Sequence, residues 1–503
     1  MDPGSPLLGR WSKVAREARP AIIDPTGTHA YSAIDERSRR VAGALLGGAR
    51  SPAARRVALL VSPGADWVSA FYGVLRAGGC VVVLSPMHPE AETSYFCDDA
   101  QVDTLIASPD LAPRLDTIAR TRRLITTDAL RHEPPASDLP RIEASHAALQ
   151  LYTSGTTGKP KGAVLTHANL GVQQDAMIRA WGHSANDVLV HALPLHHLHG
   201  LGIALLNLLG AGGCARMLPQ FDAAAVWESM RDATLFMGVP TMYSKLFAAF
   251  DAADDTTRAR WTANARALRL ATSGSAALPV TLGERWRAVT GTYPLERFGM
   301  TEIGVGMSNP LAGPRKPGMV GLPVEGVETR IVNDNEEDAP SGELWVRGPS
   351  VFAGYWKRED ATHAAFADDV HGGERWFKTG DTVTRDEDGC FKVLGRTSVD
   401  ILKSGGFKLS ALEIEEVLLE HVSVSEVAVV GVPDETWGER VVACVVLQAG
   451  HECDEATLRA FAKERLASYK VPKEVIAMRE LPRNAIGKVQ KLELVKKLRG
   501  VAS

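Results

Sequence analysis

The sequence predicts a layered α/β protein that carries a small β subdomain and ends in a small mobile α+β domain. Three observations carry that expectation. Residues 57–61 form an apolar run, 66–77 show helical spacing, Gly78-Gly79 stops the helix and 80–84 are apolar again, which is a βαβ unit. Residues 149–152 read as a buried strand that runs directly into a glycine-rich loop. Beyond Gly395-Arg396 the pattern of turns, helices and strands restarts, over about 100 residues, the size of an independent domain.

Taken in order, a further buried strand is expected at 104–107 after a helical stretch, so parallel layering is the economical arrangement of the first half. From Val327 the texture becomes β-rich. Strands at 329–332 and 343–346 are separated by the turn-forming Asn333-Asp334-Asn335 and Pro340-Ser341-Gly342, which predicts an antiparallel β subdomain. After Arg396 come a turn at Gly405-Gly406, a helix at 412–419, strands at 427–432 and 441–447, and a helix at 454–466. The expected division is therefore 1–396 and 397–503, joined by a short polar segment at 396–400 suited to a hinge.

Bulk properties exclude several classes. At 503 residues, with 45% hydrophobic and 23% charged residues, the chain can bury more than one core and is not disordered. A net charge of -4 supplies no positive excess for a nucleic-acid backbone. The six cysteines are scattered, without a CxxC pair, so a zinc site and a disulfide framework are not expected, and a reducing cytoplasm fits best. No stretch approaches the length of a membrane span, and the first twenty residues lack a signal core.

The loop Thr153-Ser154-Gly155-Thr156-Thr157-Gly158-Lys159-Pro160-Lys161 combines bare glycine backbone, hydroxyls and two lysines after a strand. Glycines let N–H groups approach phosphate oxygens, hydroxyls add donors, and ammonium groups screen a leaving pyrophosphate. A Walker loop would place Ser or Thr after its lysine; Pro160 offers neither a hydroxyl nor an N–H, so a P-loop NTPase is disfavoured.

From this loop onward the chain resembles the adenylate-forming acyl-CoA synthetase superfamily. The motifs are Leu193-Pro-Leu-His-His197, Gly238-Val-Pro-Thr241, Ser273-Gly-Ser-Ala276, Phe298-Gly-Met-Thr-Glu302, Gly342-Glu-Leu344, Gly354-Tyr-Trp356, Lys378-Thr-Gly-Asp381, Gly395-Arg396, Lys403-Ser-Gly-Gly406 and Pro482-Arg-Asn-Ala-Ile-Gly-Lys488, all in the superfamily's order. The resemblance implies an ATP-dependent acid:CoA ligase that passes through an acyl-adenylate, with ATP, Mg2+ and CoA. It implies that Glu302 holds the magnesium, with Thr156 as a second metal contact, and that Thr301 donates to the α-phosphate. The phosphate loop, Ser275, Ala276, Phe298, Gly299, Met300, Asp381 and Arg396 would bind the nucleotide, with Asp381 accepting the ribose hydroxyls. Lys488 would reach the α-phosphate during adenylation, and His197 is a further catalytic candidate. Rotation about a hinge placed at Ser398 would then bring Lys403, Ser404, Gly405 and Gly406 to the pantetheine arm of CoA. Many relatives carry Asp or Lys at the pivot, and the stretch from Arg396 to Gly406 is one residue longer than in many of them.

Within the superfamily the chain is more similar to malonyl-CoA synthetases, over 191–200, 237–243, 273–279 and 296–302. Arg297 precedes the magnesium loop, where a guanidinium suits the second carboxylate of a short diacid and disfavours a fatty acyl chain. His199 and Ser273 would assist it. The competing reading of Arg297 is a salt bridge to Glu296 or a neighbouring acid, and methylmalonate stays open beside malonate. A protein that loads a carrier-protein thiol, and a catalytically silent binding protein on the same fold, are the alternative functions.

Overall fold

The computed structural model describes residues 4–47, 55–153, 159–368, 373–483 and 489–501. Two sheets make the first layers. The seven-stranded one runs, in spatial order, Gly354–Tyr355, Lys161–Thr166, Ala147–Thr153, Cys80–Val83, Arg56–Leu60, Thr104–Ala107 and Arg123–Thr126. The nine-stranded one places Val188–His191, Leu235–Gly238, Leu270–Ser273 and Leu295–Met300 side by side and parallel, so their C-terminal ends open on one edge. That edge is where α/β proteins bind ligands.

Neither sheet is wholly parallel, which departs from the expected layering. Ala147–Thr153 and Lys161–Thr166 pair antiparallel, and Gly354–Tyr355 joins the same edge antiparallel. The link between the first two strands is too short for a parallel crossover, which needs a dozen or more residues, so the two strands flanking it pair antiparallel. Similarly, Leu295–Met300 turns back as Gly304–Ser308, with Gly299 opposite Val305 and Met300 opposite Gly304. A β-carbon on Gly299 would lie 2.1 Å from the Gly304 carbonyl oxygen, so only glycine permits this approach.

Local rules explain where helices begin. His167–Ala180 follows its strand through a capping box in which Thr166 Oγ1 accepts from Asn169 N at 3.1 Å and Asn169 Oδ1 accepts from Thr166 N at 2.9 Å. Asp222, Asp254, Ser410 and Asp454 cap later helices with side-chain oxygens. The segment after Leu193-Pro-Leu-His-His197 is a π-helix, His199–Leu206, with every residue buried.

One continuous core joins the two large sheets and reaches Phe391. The antiparallel subdomain pairs Glu328–Val332 with Ser341–Arg347 and that strand with Trp376–Arg385, which pairs in turn with Phe391–Arg396. From Leu402 onward separate cores take over, beneath a sheet built on Val424–Asp434 and Gly438–Leu447.

Asp187 ties the ligand-bearing sheet together. Its side chain is 2% exposed and accepts from Arg269 Nη2 at 2.6 Å, Arg269 Nε at 2.7 Å, Thr234 Oγ1 at 2.8 Å and Ser184 N at 2.8 Å. Burial alone would raise this carboxyl, but the bonds from Arg269, Ser184 and Thr234 outweigh it and hold it below the ordinary value. Its contribution is therefore present above the unfolded pKa and is lost as pH falls through the folded one. Replacing Arg269 with Ala should lower stability by about 3 kcal/mol, since it strands a buried charge. A thermal-denaturation series should show the loss at pH 7 and a shrinking difference from the parent below pH ~4; an unchanged midpoint at pH 7 would refute it.

Candidate functional site

The four parallel strand ends and the hairpin that follows them bring most of the expected residues together. Ser273 lies opposite Glu296 in the parallel pair, which sets Arg297 beside the Ser273-Gly274 turn. A β-carbon on Gly274 would stand 2.5 Å from Arg297 Cζ, so the guanidinium lies against bare backbone. Arg297 is only 5% exposed, and its Nε and Nη2 have no hydrogen-bond partner. No ion pair to it is present among the described residues.

The competing reading of Arg297 therefore fails at its named partner. Glu296 points away and accepts from Gly318 N at 2.8 Å. Burial pushes the Glu296 carboxyl up to about 8, so it supplies little negative charge at neutral pH. Burial also lowers Arg297 to about 10, which still leaves a full cation.

Beside it stands His199, the first residue of the π-helix. Its Nδ1 lies 3.1 Å from Ser275 Oγ, and its Nε2 is buried without a partner. Burial, and then the Arg297 charge, hold the ring well below the usual histidine range, so it is neutral. Ser275 adopts φ +69°, a left-handed conformation uncommon for a residue with a β-carbon. Ser273 Oγ and Thr272 Oγ1 are likewise buried and unpartnered. Several polar atoms in one small region thus lack protein partners, an arrangement that buried groups normally avoid.

His197 sits two residues earlier, its ring centroid 4.2 Å from that of His196, which in turn meets His88 at 5.3 Å. Burial lowers His197 to about 4. The ring is therefore an uncharged group at neutral pH.

A second group of residues assembles where the seven-stranded sheet meets the hairpin. Glu302 is buried in the turn after Met300, and its Oε1 accepts from Tyr355 Oη at 2.9 Å and Thr153 Oγ1 at 3.5 Å. Burial raises its carboxyl above the ordinary value, and these hydroxyls offset only part of that. Lys161 Nζ lies 5.2 Å from the Tyr355 ring centroid and Lys159 Nζ 5.3 Å from that of Tyr95. Arg396 Nε contacts Asp381 Oδ1 at 3.1 Å and its Nη1 donates to the Thr379 carbonyl at 2.8 Å. Phe298, Gly299, Met300 and Thr301 line the half-buried approach between the two groups, and Ser275 and Ala276 are exposed at its rim.

Ser154, Gly155, Thr156, Thr157, Gly158 and Lys488 lie outside the described residues. The residues expected at CoA are not brought to this cleft. Lys403 and Ser404 end the strand Ile401–Ser404, and Gly405 and Gly406 turn into Phe407–Ser410 at φ +57° and +81°. Lys408 just beyond pairs with Asp334 at 2.5 Å, which fastens this turn to the antiparallel subdomain. Ser398 lies in the short link, where Thr397 N donates to the Gly380 carbonyl and Asp400 N to that of Arg396.

Tyr355 is the site residue that sequence reasoning quoted without assigning a role. Its strand register opposite Ala163, beside the phosphate loop, is what brings it to Glu302.

Comparison with known proteins agrees with this geometry. The AMP-binding enzyme family matches residues 10–356, and its C-terminal domain matches 413–488. The mitochondrial malonate–CoA ligase of Bos taurus is 40% identical over 95% of this chain and 88% of its own length. The malonate–CoA ligase of Arabidopsis thaliana is 38% identical over 88% and 78%. Among solved structures, ATP-bound MatB from Rhodopseudomonas palustris superposes with a TM-score of 0.90 at 33% identity, over 100% of both chains. The ternary product complex of a malonyl-CoA ligase with methylmalonyl-CoA and AMP gives 0.69 at 35% identity, over 95% of this chain and 100% of that one. A buried carboxylate beside a phosphate loop, an arginine-braced aspartate and a two-part family match extending along the chain lead to one conclusion: this protein belongs to the AMP-binding enzyme family, with that family's N-terminal and C-terminal domains.

Proposed function

We propose that the chain is an ATP-dependent malonate–CoA ligase, forming malonyl-CoA, AMP and pyrophosphate through a malonyl-adenylate. The observation that carries the choice of acid is the buried Arg297 guanidinium with no counter-ion among the described residues, flanked by unpartnered His199 Nε2 and Ser273 Oγ. A cation in that position is balanced by the carboxylate of a diacid that does not react with ATP. A fatty acyl chain would leave it unpaired. The relatives named as malonate–CoA ligases support the same reading.

In the first half-reaction the free carboxylate of malonate attacks the α-phosphorus and pyrophosphate leaves. Arg297 and His199 hold the other carboxylate and so aim the attacking one. Neutral His199 serves as a donor without adding charge. Thr301 and Lys488 are assigned to the α-phosphate, and Lys159 and Lys161 screen the leaving pyrophosphate. Asp381, braced by Arg396, takes the ribose hydroxyls.

The residues present fit Mg2+. Glu302 and the Thr153 hydroxyl offer hard oxygen donors to an ion that would take its remaining oxygens from phosphate and water. When bound it neutralises phosphate charge. Thiol attack on the acyl carbonyl, with AMP leaving, belongs to a second domain arrangement in which the 403–406 turn reaches the cleft. The closer superposition with the ATP-bound relative supports reading the present arrangement as the one for adenylation.

Pyrophosphate release with malonate, methylmalonate, acetate, benzoate and octanoate tests the assignment. Malonate, with or without methylmalonate, should lead, and preference for any monocarboxylate would overturn it. Arg297→Met should lower kcat/KM for malonate about a thousandfold, as expected for removing one partner of a buried charge pair worth about 4 kcal/mol. Activity with butyrate should fall far less, and an equal loss with both acids would contradict the pairing.

Tyr355→Phe should act on pH dependence. It removes a donor that stabilises ionised Glu302, so the already raised carboxyl rises further. A hydrogen bond to a charged group is worth about 1.5–3 kcal/mol and one pKa unit about 1.4 kcal/mol, so the acid limb of kcat/KM for ATP should move up by about one to two pH units. An unmoved limb would show that Glu302 ionisation does not control the rate.

A further inference from the structure

We propose that Lys491, clamped between Asp400 and Glu415, is a positioning residue that ties the link between the domains to the last helix, and that adenylation depends on this tie while thiol capture does not. The inference rests on the adenylation mechanism given above. The triad itself lies outside the acid pocket and meets the nucleotide site only through Arg396.

Lys491 Nζ lies 2.5 Å from Asp400 Oδ1 and 2.6 Å from Glu415 Oε1, and the three side chains are 11%, 14% and 14% exposed. Each carboxylate is also held by backbone. Asp400 Oδ2 accepts from Arg396 N at 2.9 Å, and Glu415 Oε1 accepts from Val429 N at 2.7 Å. Two acids sharing one ammonium form an arrangement that resists displacement, because moving any member strands a buried charge.

The positions of the members give the cluster its meaning. Arg396 ends the last strand of the antiparallel subdomain and contacts Asp381, whereas Asp400 lies beyond Ser398 and opens the C-terminal domain. The bond from Arg396 N to Asp400 therefore crosses the proposed pivot. It is reinforced by Asp400 N donating to the Arg396 carbonyl at 2.7 Å, and by Gly395, where a β-carbon would stand 2.4 Å from Asp400 Cβ. On the other side Lys491 is the first residue of the helix Lys491–Val501 and stands three positions after Lys488 in the chain. Disturbing Lys491 therefore acts close in sequence to the proposed adenylation lysine. A continuous set of contacts thus runs from the ribose-binding Asp381 through Arg396 and Asp400 to Lys491. The fold itself does not need a charged triad here: hydrophobic residues of similar volume often serve a buried position as well or better.

Asp400→Asn is the discriminating variant, because the amide oxygen can still accept from Arg396 N while its NH2 group repels Lys491, and the Lys491–Glu415 pair remains to keep the domain folded. Two reactions are followed on the full-length protein: ATP–pyrophosphate exchange with malonate, and transfer to CoA from supplied malonyl-AMP. Exchange should fall 10- to 100-fold while transfer stays within threefold of the parent, and Lys491→Arg should recover most of the exchange that Lys491→Met loses. Equal loss in both reactions, or no loss in exchange, would overturn the proposal. If the parent protein itself shows no exchange with any acid, the functional reading fails instead.

Discussion

Arg297 carries a charge into the protein interior with no carboxylate among the described residues to balance it, and much of the site is arranged around that fact. An isolated buried ion is unfavourable by several kcal/mol. The local structure keeps it nonetheless: Gly274 offers bare backbone for it to lie on, Glu296 turns outward to Gly318, and the π-helix delivers His199 in neutral form. Residues on either side of the guanidinium thus avoid neutralising it. A charge kept unsatisfied beside the end of the neighbouring strand Leu270–Ser273 is what a site for an anionic ligand requires, and it accounts for the unpartnered hydroxyls of Thr272 and Ser273 nearby.

Much of the scaffold was legible because short-range rules decide it. The strand Thr104–Ala107 occupies the residues that apolar patterning marks, and the helix Ala65–Arg76 ends at its Gly78-Gly79 stop. What patterning misses depends on contacts distant in sequence. The return of Lys161–Thr166 beside Ala147–Thr153 is antiparallel because of loop length, a constraint that apolar runs do not display. The π-helix is invisible for a related reason: all eight residues are buried, so no polar face exposes its period. Site residues that lie within motifs were found, yet Tyr355 reaches Glu302 only through a strand pairing across some 190 positions of sequence. Lys491 was passed over because its partners at 400 and 415 are distant from it in the chain.

The two halves of the site are built differently. The acid end rests on four parallel strands and one hairpin within a single core, so its geometry is rigid. The nucleotide end is assembled from the first sheet, the antiparallel subdomain and a short link into a separately cored domain. Motion between domains can therefore change what reaches the phosphates without disturbing what holds the acid. The Lys408–Asp334 pair, exposed on both sides, is a contact that such motion can break at small energetic expense.

The suppressed basicity of His199 has a further implication for how the protein responds to its surroundings. Since burial and the adjacent guanidinium keep that imidazole from gaining a proton, the diacid end presents one invariant positive charge throughout the neutral range. Burial, by contrast, raises the Glu302 carboxyl above its ordinary value. On the proposed roles, the end assigned to the phosphates is the one whose charge responds more to acid, while the end assigned to the distal carboxylate keeps its charge. One pocket thus contains a proton-sensitive end and an indifferent one.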